Sequence, residues 1–259
     1  HRDLHLIARR QRQMCIRDSY MITCLGDDAY ADMTIENYKK CNVNIDYIQR
    51  AKGSSGVAPI WVEEDGTNRI IVISGSNDLL DGDEAINGID SIEDLSVVVG
   101  QFEIPQEVTS KVFSHCKTKD IQTILNPAPA QEIQEEILDA SDWFIPNEVE
   151  FEIISNGGDA NVDKDISNFA STISSNLIIT LGEDGAVILD GDKVIRVPAP
   201  KVEAVDTTGA GDAFMCSLIG ALLKNYDLQK AIEIGSAAAA IVVTKVGCAP
   251  ALSLIHISE

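Results

Sequence analysis

Basic residues are scarce in this chain. Twenty Lys and Arg stand against 41 Asp and Glu in 259 residues, which leaves a net charge of −21. A field of that sign repels nucleic acid and anionic membranes, so neither is an expected partner. A long apolar run is also missing. The longest candidate, "AAAAIVV" from Ala237 to Val243, falls far short of the ~18 residues a membrane span needs and reads as a buried helix. Six cysteines form no Cys-x-x-Cys pair, and no secretory leader with an apolar core precedes them. Reduced thiols in a cytoplasmic protein are expected. The P-loop pattern with its Lys and Ser/Thr is absent as well. Any phosphate must then be held by a metal ion, a helix N-terminus or a glycine-rich backbone nest, because the bulk charge opposes it.

What remains is ample for a globular fold. The chain is 45% hydrophobic and 24% charged, enough for one large or two small domains with a real core. Its ends read differently from its body. His1 to Ser19 carries five of the 20 basic residues but leads into no usable element, and Leu252 to Glu259 breaks off an acidic, helix-rich chain with an unrelated apolar stretch. Both resemble translated adapter sequence, and the expectation is that they are non-native, with residues 20–251 forming the domain.

Within that body, strand-like and helix-like segments alternate without repeats. "YMITCL" reads as a buried strand and "DAYADMTIENYKKC" as a helix with Met33, Ile35 and Tyr38 near one side. Gly56 to Ser74 holds two β-rich runs around an Asp-Gly turn, which predicts a hairpin that interrupts the rhythm as a flap or lid. Then follow "SVVVGQ" as a strand, "PQEVTSKVFSHC" as a helix, "IQTILN" as a strand and "QEIQEEILDA" as a helix. "WFIP", the helix-like "NEVEFEIIS", "NLIITL", a second hairpin from Ala186 to Val197 and two closing helices complete the order. Strands joined by helices of this length predict an α/β fold with mainly parallel pairing and right-handed crossovers.

In such sheets ligands gather where strand C-ends meet helix N-ends. "AVDTTGAGDAF", Ala204 to Phe214, occupies such a junction. Downstream of it Phe214, Leu218, Ala221 and Leu222 recur at helical spacing. Gly209, Ala210 and Gly211 fall just before the helix, where their N–H groups can converge on an anion with the help of the helix dipole. Asp212 beside them would repel phosphate unless it has chemical work, such as taking the proton from an attacking hydroxyl. A helix cap is the other reading of Asp212, and local pattern does not choose between them. Asn147 and Glu150 likewise match a capping box. Thr180, Gly182 and Gly185 could be an ordinary strand end and turn, and Glu103 a solvated acid.

"VDTTGAGDAF" resembles the C-terminal signature of the ribokinase-like sugar kinases, the phosphofructokinase B type. "TCLGDDAYADM", "GQFE", "LNPAPA", "IPNEVE", "TLGEDGAV" and "AAAAIVVTKVG" are similar to segments of that family in the same order, so the resemblance spans Tyr20 to Pro250. It implies a three-layer α/β/α fold with a mainly parallel central sheet and a partial β lid over about residues 56–74. It also implies transfer of the γ-phosphate of ATP to a sugar's primary hydroxyl, with D-ribose giving ribose 5-phosphate. Fructose, nucleosides and keto-deoxy sugars are substrates of kinases that share the signature, and a nucleotide-binding remnant without chemistry is the other class of reading.

Residue by residue, the resemblance makes Asp212 the general base at the sugar hydroxyl and Gly209, Ala210 and Gly211 the anion hole. It puts Glu103 at the sugar, and Asn147, Thr180, Gly182 and Gly185 at the nucleotide. Glu150 with Asn147 organises Mg²⁺, while Asp206, Thr208 and the carbonyls near Val242, Lys245 and Gly247 surround a monovalent cation, K⁺. Ala251 stands where the family offers a hydroxyl to that cation. Homodimerisation through the lid is implied too. The sequence departs from the family in having neither an Asn-x-Asp strand nor a Gly-Gly-Lys-Gly-x-Asn loop. The expectation from that departure is an N-terminally truncated, nearly inactive chain.

Overall fold

The protein is described by a computed structural model that covers residues 19–62, 68–191 and 193–245. It forms two compact units. Among the described residues, one takes in the chain up to Ser96 together with Glu103–Ile121, the other Val97–Phe102 together with the chain from Gln122.

Among the described residues, the first unit is built from short parallel pairs, an antiparallel ribbon and three helices. β1 (Ser19–Tyr20) pairs with β3 (Val43–Asn44), and β2 (Thr23–Leu25) pairs with β4 (Ile48–Arg50). The single strand expected over "YMITCL" is therefore two, because the chain changes partner at Met21 and Ile22. Between β2 and β3 runs α1 (Ala29–Lys40), opened by Asp28, whose carboxylate accepts the Ala31 N–H at 2.9 Å. Its inner side carries Ala31, Ile35 and Tyr38 at helical spacing, whereas Met33 is 67% exposed, contrary to the sequence expectation. Met33 lies two residues from Ala31, about 200° around the helix.

The expected hairpin is present. β5 (Ile60–Val62) and β6 (Asn68–Ile70) pair antiparallel, and a bridge between Val57 and Ile73 extends the ribbon toward its base; the turn between the strands lies outside the described residues. A 3-10 turn over Gly75–Leu79 leads to α2 (Gly82–Asp90), and α3 (Gln106–Thr118) packs beside α2.

The second unit holds a six-stranded sheet in the order β12-β11-β10-β9-β8-β7. Its strands are β7 (Val97–Gly100), β8 (Gln122–Leu125), β9 (Trp143–Phe144), β10 (Asn176–Thr180), β11 (Ala186–Asp190) and β12 (Lys193–Val197). β7 to β10 are parallel, and the closing hairpin adds two antiparallel strands. Two helices, α7 (Ala210–Leu222) and α8 (Leu228–Val243), cover one face. There Phe214, Leu218 and Ile232 pack with Ile124, Ile145, Ile178 and Ile188 from the sheet. Each such side chain, fully buried, stabilises the fold by about 1.5–3 kcal/mol.

Along β9, side chains alternate between faces, so Phe144 points opposite to Ile145. It meets Phe169 of α6 (Asp163–Ala170) at 6.1 Å, and Phe169 meets Phe151 of α5 (Glu148–Ile154) edge-on at 5.4 Å. Helices thus lie on both faces, in three layers. The helix expected from residue 131 begins later, as α4 (Glu135–Ala140). Gln131 stays in the loop, where its side chain donates to the Phe102 carbonyl at 3.1 Å.

Among the described residues Cys24, Cys41, Cys116 and Cys216 are free thiols, and no helix is long and apolar enough to cross a membrane.

Candidate active site

The register of the second unit brings several candidate residues to one edge of the sheet. β10 ends at Thr180, opposite Ala186 where β11 begins, and Ala186 stands opposite Val197 where β12 ends. Asn147, just past β9, forms an isolated parallel bridge with Thr180, whose N–H donates to the Pro146 carbonyl at 3.0 Å.

Asn147 caps α5. Its side chain accepts the Glu150 N–H, and Glu150 Oε2 accepts the Asn147 N–H, both at 2.8 Å. The capping box is therefore formed. Glu150 is also only 6% exposed, unusual for a carboxylate, and burial pushes its pKa up despite the hydrogen bond from Asn147. A buried carboxylate in the first turn of a helix is a hard oxygen donor of the kind Mg²⁺ takes together with nucleotide phosphates.

Gly182 and Gly185 shape the turn after Thr180, with φ of +55° and +95°. A side chain on Gly185 would strike the Val197 carbonyl, so packing alone explains that glycine. Gly182 has open space where a Cβ would point.

From Val197 the chain runs to α7. Two backbone bonds fix the intervening loop: the Val243 carbonyl at the end of α8 accepts the N–H of Val205 at 2.7 Å and of Asp206 at 3.1 Å. Asp206 Oδ1 in turn accepts the Thr208 N–H at 2.9 Å. Sequence reasoning missed Val243, because a carbonyl's role leaves no side-chain signature. The Val242 carbonyl, expected at a cation, accepts the Lys245 N–H at 3.0 Å. Gly247 and Ala251 lie outside the described residues, as do residues 1–18 and 252–259.

The N-cap of α7 is Gly209, in the left-handed region at φ +82°. Asp212 is not the cap; it sits in the first turn. The Ala210 N–H, expected to face an anion, donates instead to the Thr207 carbonyl at 3.2 Å. This leaves the N–H groups of Gly211 and Asp212 at the open helix end. Beside Gly211 nothing lies within 4 Å of where a Cβ would stand. Asp212 keeps an exposed surface, yet the packed turn around it partly desolvates the carboxyl and raises its pKa above the ordinary 3.8. One turn on, burial and the charge of Asp212 raise the Cys216 thiol.

Glu103 lies in the first unit, exposed, with its carbonyl accepting from the Asn77 side chain at 3.2 Å. No group of three or more His, Cys, Asp and Glu fit for a metal ion occurs among the described residues.

An α/β sheet edge with a glycine-opened helix, a partly desolvated aspartate in its first turn and a buried glutamate in the first turn of a neighbouring helix is suited to holding phosphates near a general base. Similarity to known proteins agrees with this. The family model for pfkB family carbohydrate kinases matches residues 10–254. The chain is 34% identical over 244 residues to a ribokinase of Staphylococcus aureus, covering 92% of this chain and 80% of that protein. It is also 34% identical over 232 residues to a deoxyribokinase of Salmonella typhi, covering 88% and 76%. The crystal structure of a ribokinase from Thermotoga maritima superposes with a TM-score of 0.79 at 33% identity, over 90% of this chain and 77% of that one. The chain thus belongs to the pfkB family of carbohydrate kinases, phosphotransferases that act on a sugar hydroxyl.

Proposed function

We propose that this protein is an ATP-dependent pentose kinase whose first substrate is D-ribose, phosphorylated at its primary hydroxyl to ribose 5-phosphate. The observation that carries the reading is the first turn of α7, where open backbone beside Gly211 adjoins the raised-pKa carboxyl of Asp212. Asp212 takes the hydroxyl proton. The sugar oxygen then forms a bond to the γ-phosphorus as the bond to the β-phosphate oxygen breaks and ADP leaves. Gly209, Gly211 and the Asp212 N–H stabilise charge on the transferring group, with Ala210 shaping the turn.

Thr180, Gly182, Gly185 and Asn147 line the nucleotide, and Glu103 holds sugar hydroxyls. Glu150 and Asn147 hold Mg²⁺ at the phosphates, where the ion supplies charge neutralisation. Asp206 and Thr208, on the loop pinned by Val243, take K⁺. Exposed Ile71, Val72 and Ile73 along the ribbon fit pairing of two copies through the lid, and free thiols fit a reducing cytoplasm. Equal similarity to a deoxyribokinase makes 2-deoxyribose the second substrate to try.

The test is ADP release with ribose, 2-deoxyribose, fructose and a nucleoside as acceptors. Ribose or deoxyribose preferred over the other two supports the reading; preference for fructose or the nucleoside, or ADP release that ignores every sugar, refutes it.

A further inference from the structure

The ribbon β5–β6 leaves and rejoins the first unit at two feet, and both feet are bonded to the same place. The first foot is Ser55, whose N–H and hydroxyl donate to the Asp28 carboxylate at 2.8 and 2.7 Å while its oxygen accepts the Gly26 N–H at 3.1 Å. A side chain on Gly26 would strike the Gly53 carbonyl, so the turns at Gly26 and Gly53 are pressed together. The second foot is Ser76, which donates from its N–H to the Ser54 carbonyl at 3.0 Å and from its hydroxyl to the Cys24 carbonyl at 2.9 Å. Gly75 turns at φ +52° against the carbonyls of Ser54 and Ser55. Such feet cannot swing independently of each other.

Asn77 follows the second foot, lies beside Gly56, the residue after the first foot, and is bonded to Glu103. Its Oδ1 stands 2.8 Å from where a Cβ on Gly56 would lie, so only glycine fits there beside it. Its Nδ2 donates to the Glu103 carbonyl at 3.2 Å. One amide thus spans from the ribbon's base to the segment that carries the acid, using its oxygen side for packing and its nitrogen for the bond.

We infer that Asn77 is a positioning residue for the sugar: it fixes the backbone of Glu103 against the base of the lid, so that lid placement and the acid's placement are set together. The inference rests on the proposed role of Glu103 as a sugar contact. The side chain must offer a donor at the reach of Asn. Aspartate keeps the size and loses the donor, and alanine loses both.

The experiment compares the wild-type protein with Asn77→Asp and Asn77→Ala, measuring KM for ribose, KM for ATP, kcat, thermal stability and direct calorimetric binding of ribose. Both variants should raise the ribose KM and Kd by about tenfold, the effect of losing one bond to a positioned group, with the ATP KM within about twofold. Should Asn77→Ala fail to fold, Asn77→Asp alone decides. A ribose KM and Kd within about twofold of wild type in Asn77→Asp overturns the inference, as does a parallel loss of kcat and stability with no selective change toward ribose. A wild-type protein that neither binds nor phosphorylates ribose, while turning over another acceptor, overturns the sugar assignment beneath it instead, and the inference falls with that assignment.

Discussion

Asn147 faces Thr180 across the ends of two parallel strands and at the same time exchanges two 2.8 Å hydrogen bonds with Glu150. One residue therefore ties a strand end, a helix start and a buried carboxylate together. The cap uses Glu150 Oε2 and so holds the side chain in place, whether or not it also meets Mg²⁺ as proposed.

Substituting Glu150→Gln separates the two. Glutamine keeps an oxygen for the Asn147 N–H, so the cap survives, while the charge that Mg²⁺ needs is gone. Turnover at limiting Mg²⁺ should fall about 10- to 100-fold. Stability should move the other way. Burial raises the folded pKa of Glu150 above the ordinary 4.5, so its contribution is fully present below that value and is lost as pH rises through the raised one. Melting curves from pH 4 to 8 should show the variant gaining on wild type as pH increases; a variant that loses ground refutes the burial argument.

Asp212→Asn should lower kcat by about 10²- to 10⁴-fold, the contribution of a positioned general base. ATP affinity, measured by calorimetry, should persist. In the wild type, the acid limb of kcat/KM should titrate above the ordinary aspartate value of 3.8, because the folded carboxyl holds its proton more tightly. Turnover surviving in the variant would remove Asp212 from the chemistry.

The glycines of α7 should respond in opposite ways. Gly211→Ala meets nothing within 4 Å and lies within the helix, where alanine is favoured by about 1 kcal/mol, so the melting temperature should hold or rise. Turnover should nevertheless collapse, since the methyl would fill the space that the proposed function gives to the phosphoryl group. Gly209→Ala must adopt φ +82°, at a cost of about 1–2 kcal/mol, and should melt earlier. Unimpaired kinetics in Gly211→Ala would mean that the open space holds no ligand.

Asp28 should act on stability through pH. Hydrogen bonds from Ser55 and Ala31 lower its pKa to about 2. A depressed carboxylate stabilises the fold above its unfolded value of 3.8, and that stabilisation disappears as pH falls toward about 2. Asp28→Ala should therefore melt below wild type at neutral pH, with the deficit shrinking between 3.8 and about 2. A deficit independent of pH would mean that these hydrogen bonds do not favour the charged carboxylate.

Local signals carried much of this architecture. The paired strands β5 and β6, the helix opened at Pro105 and the periodic spacing of Phe214, Leu218 and Ala221 are all consequences of neighbours along the chain, and each formed as read. α2 and α6 left weaker traces. Their buried positions, Ala85, Gly88 and Ile89 in one and Ile166 in the other, are few or small among acidic neighbours, so no apolar stripe announces them. Met33 was misplaced because hydrophobicity does not say which side of a helix finds a partner.

The sequence by itself determined the family, the order of most elements and the glycine-opened helix bearing Asp212, because propensity, periodicity and a long signature are written in adjacent residues. Only the tertiary structure decided that the Ala210 N–H turns back to the Thr207 carbonyl, that Val243 pins the Asp206 loop and that Asn77 reaches Glu103. These depend on backbone groups, or on partners 26 or more residues apart in the chain, brought within hydrogen-bond distance by the packing of whole helices and sheets. No pattern of neighbouring side chains encodes such distances.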